Sequence, residues 1–76
     1  MHNKPNPDDR AVKTIVERVC MLASVPCNET LFNCNVADFR HQQIEKALHD
    51  AFGFSVTVRS TDTIYSITDK LKQVTQ

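Results

Sequence analysis

The chain has 76 residues, which is enough for one small domain. Hydrophobic residues make up 41% and charged residues 24%, a balance typical of a globular domain and not of a disordered tail. The single glycine disfavours a barrel or sandwich of many short strands, because such folds need more turn glycines. A domain of this size has little room for a deep catalytic cleft, so we expect a binding or carrier module and not an enzyme.

Charge and hydropathy exclude further classes of protein. Nine Lys and Arg residues balance nine Asp and Glu residues, so the formal net charge is zero. The chain therefore lacks the excess of basic residues that is typical of nucleic-acid-binding proteins. No apolar run approaches the ~18 residues of a membrane span, and no hydrophobic signal region opens the sequence. We therefore expect a cytoplasmic monomer that does not insert into membranes. The odd number of cysteines, three, favours reduced thiols.

The first predicted helix follows a flexible lead at residues 1–7 and opens the single domain, 8–76. Asp8 and Asp9 are typical of a helix start, where carboxylates are favoured by the helix dipole. Pro26 ends the segment, because the residue before a proline avoids helical geometry. We therefore predict a helix near residues 8–24. Its apolar stripe consists of Val12, Ile15, Val16, Val19, Leu22 and Ala23.

A connecting loop and a second helix follow. The loop, 26–37, is rich in apolar side chains, so we expect it to pack on the core. The apolar residues of the loop are Leu31, Phe32 and Val36. Asp38 then opens a helix over 38–52, and Gly53 stands where a left-handed C-terminal cap is needed. The apolar positions of this helix are Ile44, Ala47, Leu48, Ala51 and Phe52.

The last third of the chain contains an extended loop and a final helix. Residues 54–58 alternate apolar and polar side chains, but the sequence offers no obvious partner strand, so we predict an extended loop with its apolar side chains inward. A turn near 59–62, rich in capping residues, leads to a helix over 63–74. The helical positions are Ile64, Ile67, Leu71 and Val74.

Three stretches together resemble the acyl carrier protein family. Residues 31–39, LFNCNVADF, look like the family's loop leading into Gly-x-Asp-Ser-Leu. Residues 44–54, IEKALHDAFGF, look like its second helix and the exit from that helix. Residues 63–71, TIYSITDKL, look like its last helix, Thr-Val-x-x-Leu-x-x-x-Ile. The resemblance implies an all-α fold, a small acyl-carrier-like bundle of three or four helices.

The same resemblance implies that the attachment chemistry of the family is missing. In the family, a serine at the start of the second helix carries phosphopantetheine through a phosphodiester. The aligned residue here is Asp38, and the glycine, aspartate and leucine of the motif align with Asn35, Ala37 and Phe39. A carboxylate joined to phosphate would form a mixed anhydride that water cleaves readily. We therefore expect no phosphopantetheine arm and no other cofactor.

The leading hypothesis is an acyl-carrier-like binding module that docks on a protein partner, for which an enzyme that recognises acyl carriers is the candidate. Its second helix is nearly neutral, unlike the acidic helix typical of the family, so long-range steering toward basic partners is weak. The residues predicted to bind the partner are Asp38, Phe39, Arg40, His41 and Glu45. The alternatives are a working acyl or peptidyl carrier in fatty-acid, lipid or secondary-metabolite synthesis, which would hold phosphopantetheine, and a small helical DNA-binding domain.

Several residues have two interpretations. We favour the interpretation that Asp38 is the N-cap of the second helix. The alternative is that its negative charge imitates the phosphate of the modified family member, and the two roles are compatible. For the four phenylalanines, we favour a place in the hydrophobic core over the alternative that they line a channel for an acyl chain. These are Phe32, Phe39, Phe52 and Phe54. A zinc site is disfavoured, because the spacing of its residues is not that of paired zinc ligands. A nucleophile–base pair of Cys34 and His41 is also disfavoured, because the sequence shows no third group to orient the base. The zinc set would comprise Cys20, Cys27, Cys34 and His41.

Overall fold

The structure of the chain is a computed structural model that describes residues 6–75. Its helices are α1 (Asp9–Cys20), α2 (Asp38–Phe52) and α3 (Ile64–Thr75). Within these described residues there is no β-strand, and a single antiparallel bridge links Thr30 and Thr63. The prediction of a small all-α bundle is therefore confirmed. None of the three helices is both long enough and apolar enough to cross a membrane.

Most of the predicted N-terminal lead lies outside residues 6–75, the part of the chain that the structure describes. Residues 1–5 of the predicted lead 1–7 lie outside the described residues. Pro7 is already buried, and the Asp8 carboxylate accepts a hydrogen bond of 2.7 Å from the Ala11 N–H. Asp8 is thus the N-cap of α1, as its position in the sequence suggested.

Helix α1 ends four residues earlier than predicted. The chain turns left-handed at Met21, with φ 55°, and the N–H groups of Met21 and Leu22 both donate to the Glu17 carbonyl. This arrangement ends the helix at a left-handed residue without a glycine. The predicted C-terminal end at residue 24 is wrong because a non-glycine residue adopts the capping conformation well before Pro26.

Helix α2 has the predicted bounds and buries one face. Its C-cap is Gly53, with φ 81°, whose N–H donates to the His49 carbonyl at 2.7 Å. This confirms the role assigned to the only glycine. Helix α1 packs against both α2 and α3, whereas the backbones of α2 and α3 are not adjacent. The buried residues of α2 are His41, Ile44, Leu48 and Phe52.

The loop 26–37 packs on the core through part of its apolar content. Leu31 and Val36 are buried, as expected. Phe32 is 72% exposed, so its predicted inward packing is wrong. The Leu31 N–H donates to the Asp62 carbonyl (2.9 Å), and the Phe32 N–H donates to the Ser60 carbonyl (3.0 Å). Main-chain hydrogen bonds to the turn before α3 therefore fix the loop. These bonds satisfy polar backbone groups that the loop would otherwise bury without a partner.

Asp62 organises that turn. It is only 7% exposed, and its carboxylate accepts hydrogen bonds from the Arg59 N–H (2.8 Å), the Ser66 hydroxyl (2.9 Å) and the Lys70 ammonium (2.8 Å). Lys70 also donates to the Thr57 carbonyl at 2.8 Å. Burial acts to raise the pKa of Asp62, but the hydrogen bonds and the nearby ammonium prevail and lower it below its ordinary value.

The entry to α3 and the loop after α2 match their predictions. The Thr63 hydroxyl accepts from the Ser66 N–H (3.0 Å), and the Ser66 hydroxyl accepts from the Thr63 N–H (2.8 Å). These reciprocal bonds form a capping box with serine in the place of glutamate. The predicted turn near 59–62 is present, closed by an Asp62 N–H bond to the Arg59 carbonyl. In the loop, Val58 is buried, and Phe54 and Val56 pack partly against the core.

We predict that Asp62→Asn lowers the free energy of unfolding by about 2 kcal/mol near neutral pH, because it removes the charge that pairs with Lys70 in a mostly buried site. The folded-state pKa of Asp62 is depressed, so its contribution is present above the unfolded value of 3.8 and is lost as pH falls through the folded value. Denaturant unfolding of both proteins across this pH range measures the difference. The control is Asp69→Asn, an exposed aspartate on α3. A difference that stays constant far below pH 3.8 would contradict this assignment.

Candidate docking surface

The start of α2 lacks a side-chain cap. The N-cap is Ala37, which is extended (φ −66°, ψ 150°) and makes no side-chain capping bond. Asp38 is the first residue of the helix, and it is exposed. The interpretation of Asp38 as the N-cap is therefore wrong by one position. Its carboxylate still lies at the positive end of the helix dipole, which favours it electrostatically.

The loop reverses direction immediately before this helix. Asn35 has a left-handed backbone, with φ 62°, a conformation that glycine adopts most easily and that asparagine tolerates better than most residues. The Val36 N–H donates to the Leu31 carbonyl at 3.0 Å, and the Asn35 N–H donates to the Phe32 carbonyl at 3.1 Å. The left-handed turn thus sets the direction in which the chain enters α2.

The first turn of α2 presents an aromatic ring and a cation to solvent. Phe39 is 64% exposed, and the guanidinium carbon of Arg40 lies 4.9 Å from the centre of its ring. Arg40 also donates to the Gln43 side-chain oxygen at 2.8 Å, which holds the guanidinium in place. We call Asp38, Phe39 and Arg40 the docking surface. Aromatic and arginine side chains are enriched in the centres of protein–protein interfaces.

The other two predicted partner-binding residues point elsewhere. His41 is 8% exposed and lies on the buried face of α2, where its Nε2 atom has no hydrogen-bond partner. The Glu45 carboxylate accepts a hydrogen bond of 2.7 Å from the Val58 N–H and so ties α2 to the following loop. The structure therefore brings only three of the five residues together on one surface. The position of His41, three residues before Ile44, was the sequence signal for its burial.

The four phenylalanines divide into two groups. Phe52 is buried in the core, and Phe54 packs partly against it. Phe32 and Phe39 are exposed, so the preferred interpretation of all four as core residues is wrong for these two. The same exposure argues against one acyl channel lined by the whole set.

Two of the three cysteines, Cys20 and Cys34, have thiols with raised pKa values. Burial, with a smaller effect of Cys34, raises the pKa of the Cys20 thiol despite the lowering effect of Arg40. Burial, with a smaller effect of Glu29, likewise raises the pKa of the Cys34 thiol. A raised pKa keeps both groups as thiols at neutral pH, which disfavours nucleophilic chemistry. Across residues 6–75, no three His, Cys, Asp or Glu side chains are arranged to hold a metal ion.

Comparisons of this chain with protein-family models, with curated proteins and with solved structures find no match. The resemblance to acyl carrier proteins thus depends on the sequence stretches described above, and it stays a prediction.

We predict that the two helix-start aspartates differ in their effect on stability. Asp8→Ala should lower the free energy of unfolding by about 1 kcal/mol, because it removes a capping hydrogen bond. Asp38→Ala should cost only about 0.3 kcal/mol, because it removes a charge–dipole interaction alone. Thermal or denaturant unfolding of the two variants provides the comparison. Equal losses would indicate that Asp38 caps α2 after all.

We also predict that His41→Leu raises the free energy of unfolding by about 1 kcal/mol, because leucine removes a buried polar atom that has no partner. The matched control is His49→Leu, on the exposed face of the same helix, which should change stability by less than about 0.5 kcal/mol. Denaturant unfolding measures both effects. A loss of stability in the His41 variant would show that the imidazole makes a favourable interaction.

Proposed function

We propose that this chain is a non-enzymatic, acyl-carrier-like binding module that carries no phosphopantetheine arm and docks on a protein partner through the start of α2. We also propose that the chain is a monomer, that it is located in the cytoplasm and that its partner recognises acyl carriers. The single observation that carries it is the geometry of the aligned motif, which combines a left-handed residue, a helix start and an acid in the place of the serine.

Two positions of that motif support the proposal. Asn35, which aligns with the glycine of Gly-x-Asp-Ser-Leu, has φ 62°, the conformation in which glycine is preferred. Asp38, which aligns with the serine, is exposed and is the first residue of α2. A partner can therefore reach this position as it would reach the family's serine, but it finds a carboxylate that cannot hold a stable phosphate ester.

The chemistry of the docking surface supports a protein as the partner. The Phe39 ring offers apolar area, and the Arg40 guanidinium above it offers hydrogen-bond donors. Asp38 adds an opposite charge, so the surface is close to neutral. An interface of this kind gains affinity from short-range burial and directional hydrogen bonds, with little help from long-range electrostatic steering.

The attachment chemistry can be tested by intact-mass measurement. The wild-type chain is incubated with a phosphopantetheinyl transferase and coenzyme A, and its mass is expected to stay unchanged. A variant that restores the motif, Asn35→Gly/Ala37→Asp/Asp38→Ser/Phe39→Leu, is expected to gain the mass of one phosphopantetheine. The substitutions suit the local geometry, because glycine fits the left-handed turn and aspartate at position 37 supplies an N-cap.

Each result has a definite meaning for the proposal. A mass gain on the wild-type chain would establish a working carrier and refute the absence of the arm. No gain on the restored variant, shown to be folded by its helical circular dichroism, would refute the acyl-carrier-like geometry. The control is Asn35→Gly/Ala37→Asp/Phe39→Leu, which keeps Asp38 and should gain no mass.

A further inference from the structure

A small open cavity lies between the segment 22–26, which follows α1, and the loop residues 29–34. Its volume is about 270 Å³. Clefts that hold drug-sized ligands measure roughly 300–1,000 Å³, so this cavity suits a smaller ligand or a single long side chain. We call it the loop cavity. It is lined by Leu22, Ala23, Ser24, Val25, Pro26, Glu29, Asn33 and Cys34.

The segment 22–26 forms a mainly apolar wall of the loop cavity. The chain is left-handed at Met21 (φ 55°) and again at Ser24 (φ 56°), a conformation that is uncommon for residues other than glycine. Such residues persist only where the surrounding structure holds them, and they cluster at ligand sites. Val25, next to Ser24, is buried and anchors the segment in the core. The wall is therefore held in one conformation.

Glu29 is the only charged residue in the lining of the cavity. Its carboxylate accepts a hydrogen bond of 3.0 Å from the Asn33 side-chain amide, and the Asn33 N–H donates to the Thr30 hydroxyl at 3.1 Å. A neutral amide does not cancel the charge, and Glu29 forms no ion pair with any residue in 6–75. Besides burial, the Glu29 charge raises the pKa of the Cys34 thiol, so the two lining groups lie close together. The lining thus carries one uncompensated negative charge.

From these features we infer that the loop cavity binds a primary alkylammonium group on a short carbon chain, the group that a lysine side chain and a free alkylamine share. The ammonium neutralises Glu29 and donates a charge-assisted hydrogen bond to its carboxylate, while the carbon chain lies against the apolar wall. A compact ammonium suits a carboxylate that has one oxygen engaged by Asn33, whereas a guanidinium favours both oxygens in a bidentate pair. The inference is independent of the acyl-carrier proposal, because no residue of the docking surface lines the cavity.

The first test titrates the isotopically labelled chain with n-butylammonium chloride at constant ionic strength. The amide NMR signals of Leu22, Glu29 and Cys34 are expected to shift along one saturable curve, while those of Gln42 and His49 on α2 stay in place. n-Butanol offers the carbon chain without the charge, and ammonium chloride offers the charge without the chain. Each should bind at least about threefold more weakly. Absence of saturable shifts, or an equal affinity for either control compound, would overturn the inference.

A series of ligands tests the contact with the apolar wall. From methylammonium to n-butylammonium, the affinity should rise by up to about fourfold for each CH₂ group that leaves water. The charge is the same throughout the series, so the gain measures burial of the carbon chain alone. An affinity that does not change with chain length would contradict binding of the chain against the wall.

A matched pair of variants tests the role of Glu29. Glu29→Gln keeps an oxygen that can accept from Asn33 but removes the charge, so n-butylammonium should bind about threefold more weakly or worse. The control, Asp69→Asn, removes one negative charge from an exposed site on α3 and should leave binding unchanged. Helical circular dichroism checks that both variants are folded. Equal weakening in the two variants would reduce the effect to a general attraction and overturn the site.

Two lysine derivatives distinguish the sources of the alkylammonium group. Nα-acetyl-lysine N-methylamide presents the side chain as a partner protein would, and its Nε-acetylated counterpart lacks the charge. Binding of the first compound but not the second would assign the cavity to a lysine side chain. Binding of n-butylammonium alone would assign it to a free alkylamine. If neither n-butylammonium nor the charged lysine derivative binds, the inference is refuted.

Discussion

The contact between the two loops is the constraint on which the rest of the structure depends. Helix α1 packs against both α2 and α3, whereas the backbones of α2 and α3 are not adjacent in the bundle. The loop 26–37 closes it by inserting the Leu31 side chain into the core while the main chain at residues 31 and 32 bonds to the turn at 60–62. A buried loop must satisfy its polar backbone groups, and the turn before α3 supplies the acceptors.

That constraint also places the start of α2 at the surface. The loop uses Leu31 and Val36 as inward anchors on either side of the left-handed residue Asn35, and the residues that follow emerge at the surface. Phe39 is therefore exposed by the direction in which the chain enters α2. The Phe39 ring, which contacts the Arg40 guanidinium, is left at the surface of a domain whose buried core does not include it.

The regular elements could be predicted because their signals are local. The apolar spacing and Gly53 defined α2, and the cluster of capping residues defined the start of α3. The early end of α1 at Met21 could not be predicted, because a left-handed methionine carries no compositional signal. The exposure of Phe32 and the inward position of Glu45 depend on contacts between distant parts of the chain. Of the predicted site, the sequence placed Asp38 at the helix start correctly but misassigned its capping role.

The docking surface and the groove between α2 and the loop 54–58 occupy different parts of the helix. The docking surface is made of side chains on the first turn, so its specificity depends on a few substitutable groups. The groove lies farther along α2, and its lining combines the Glu45 carboxylate with the Lys46 ammonium. The two surfaces share no residue, so a substitution on the first turn of α2 leaves every lining residue of the groove unchanged.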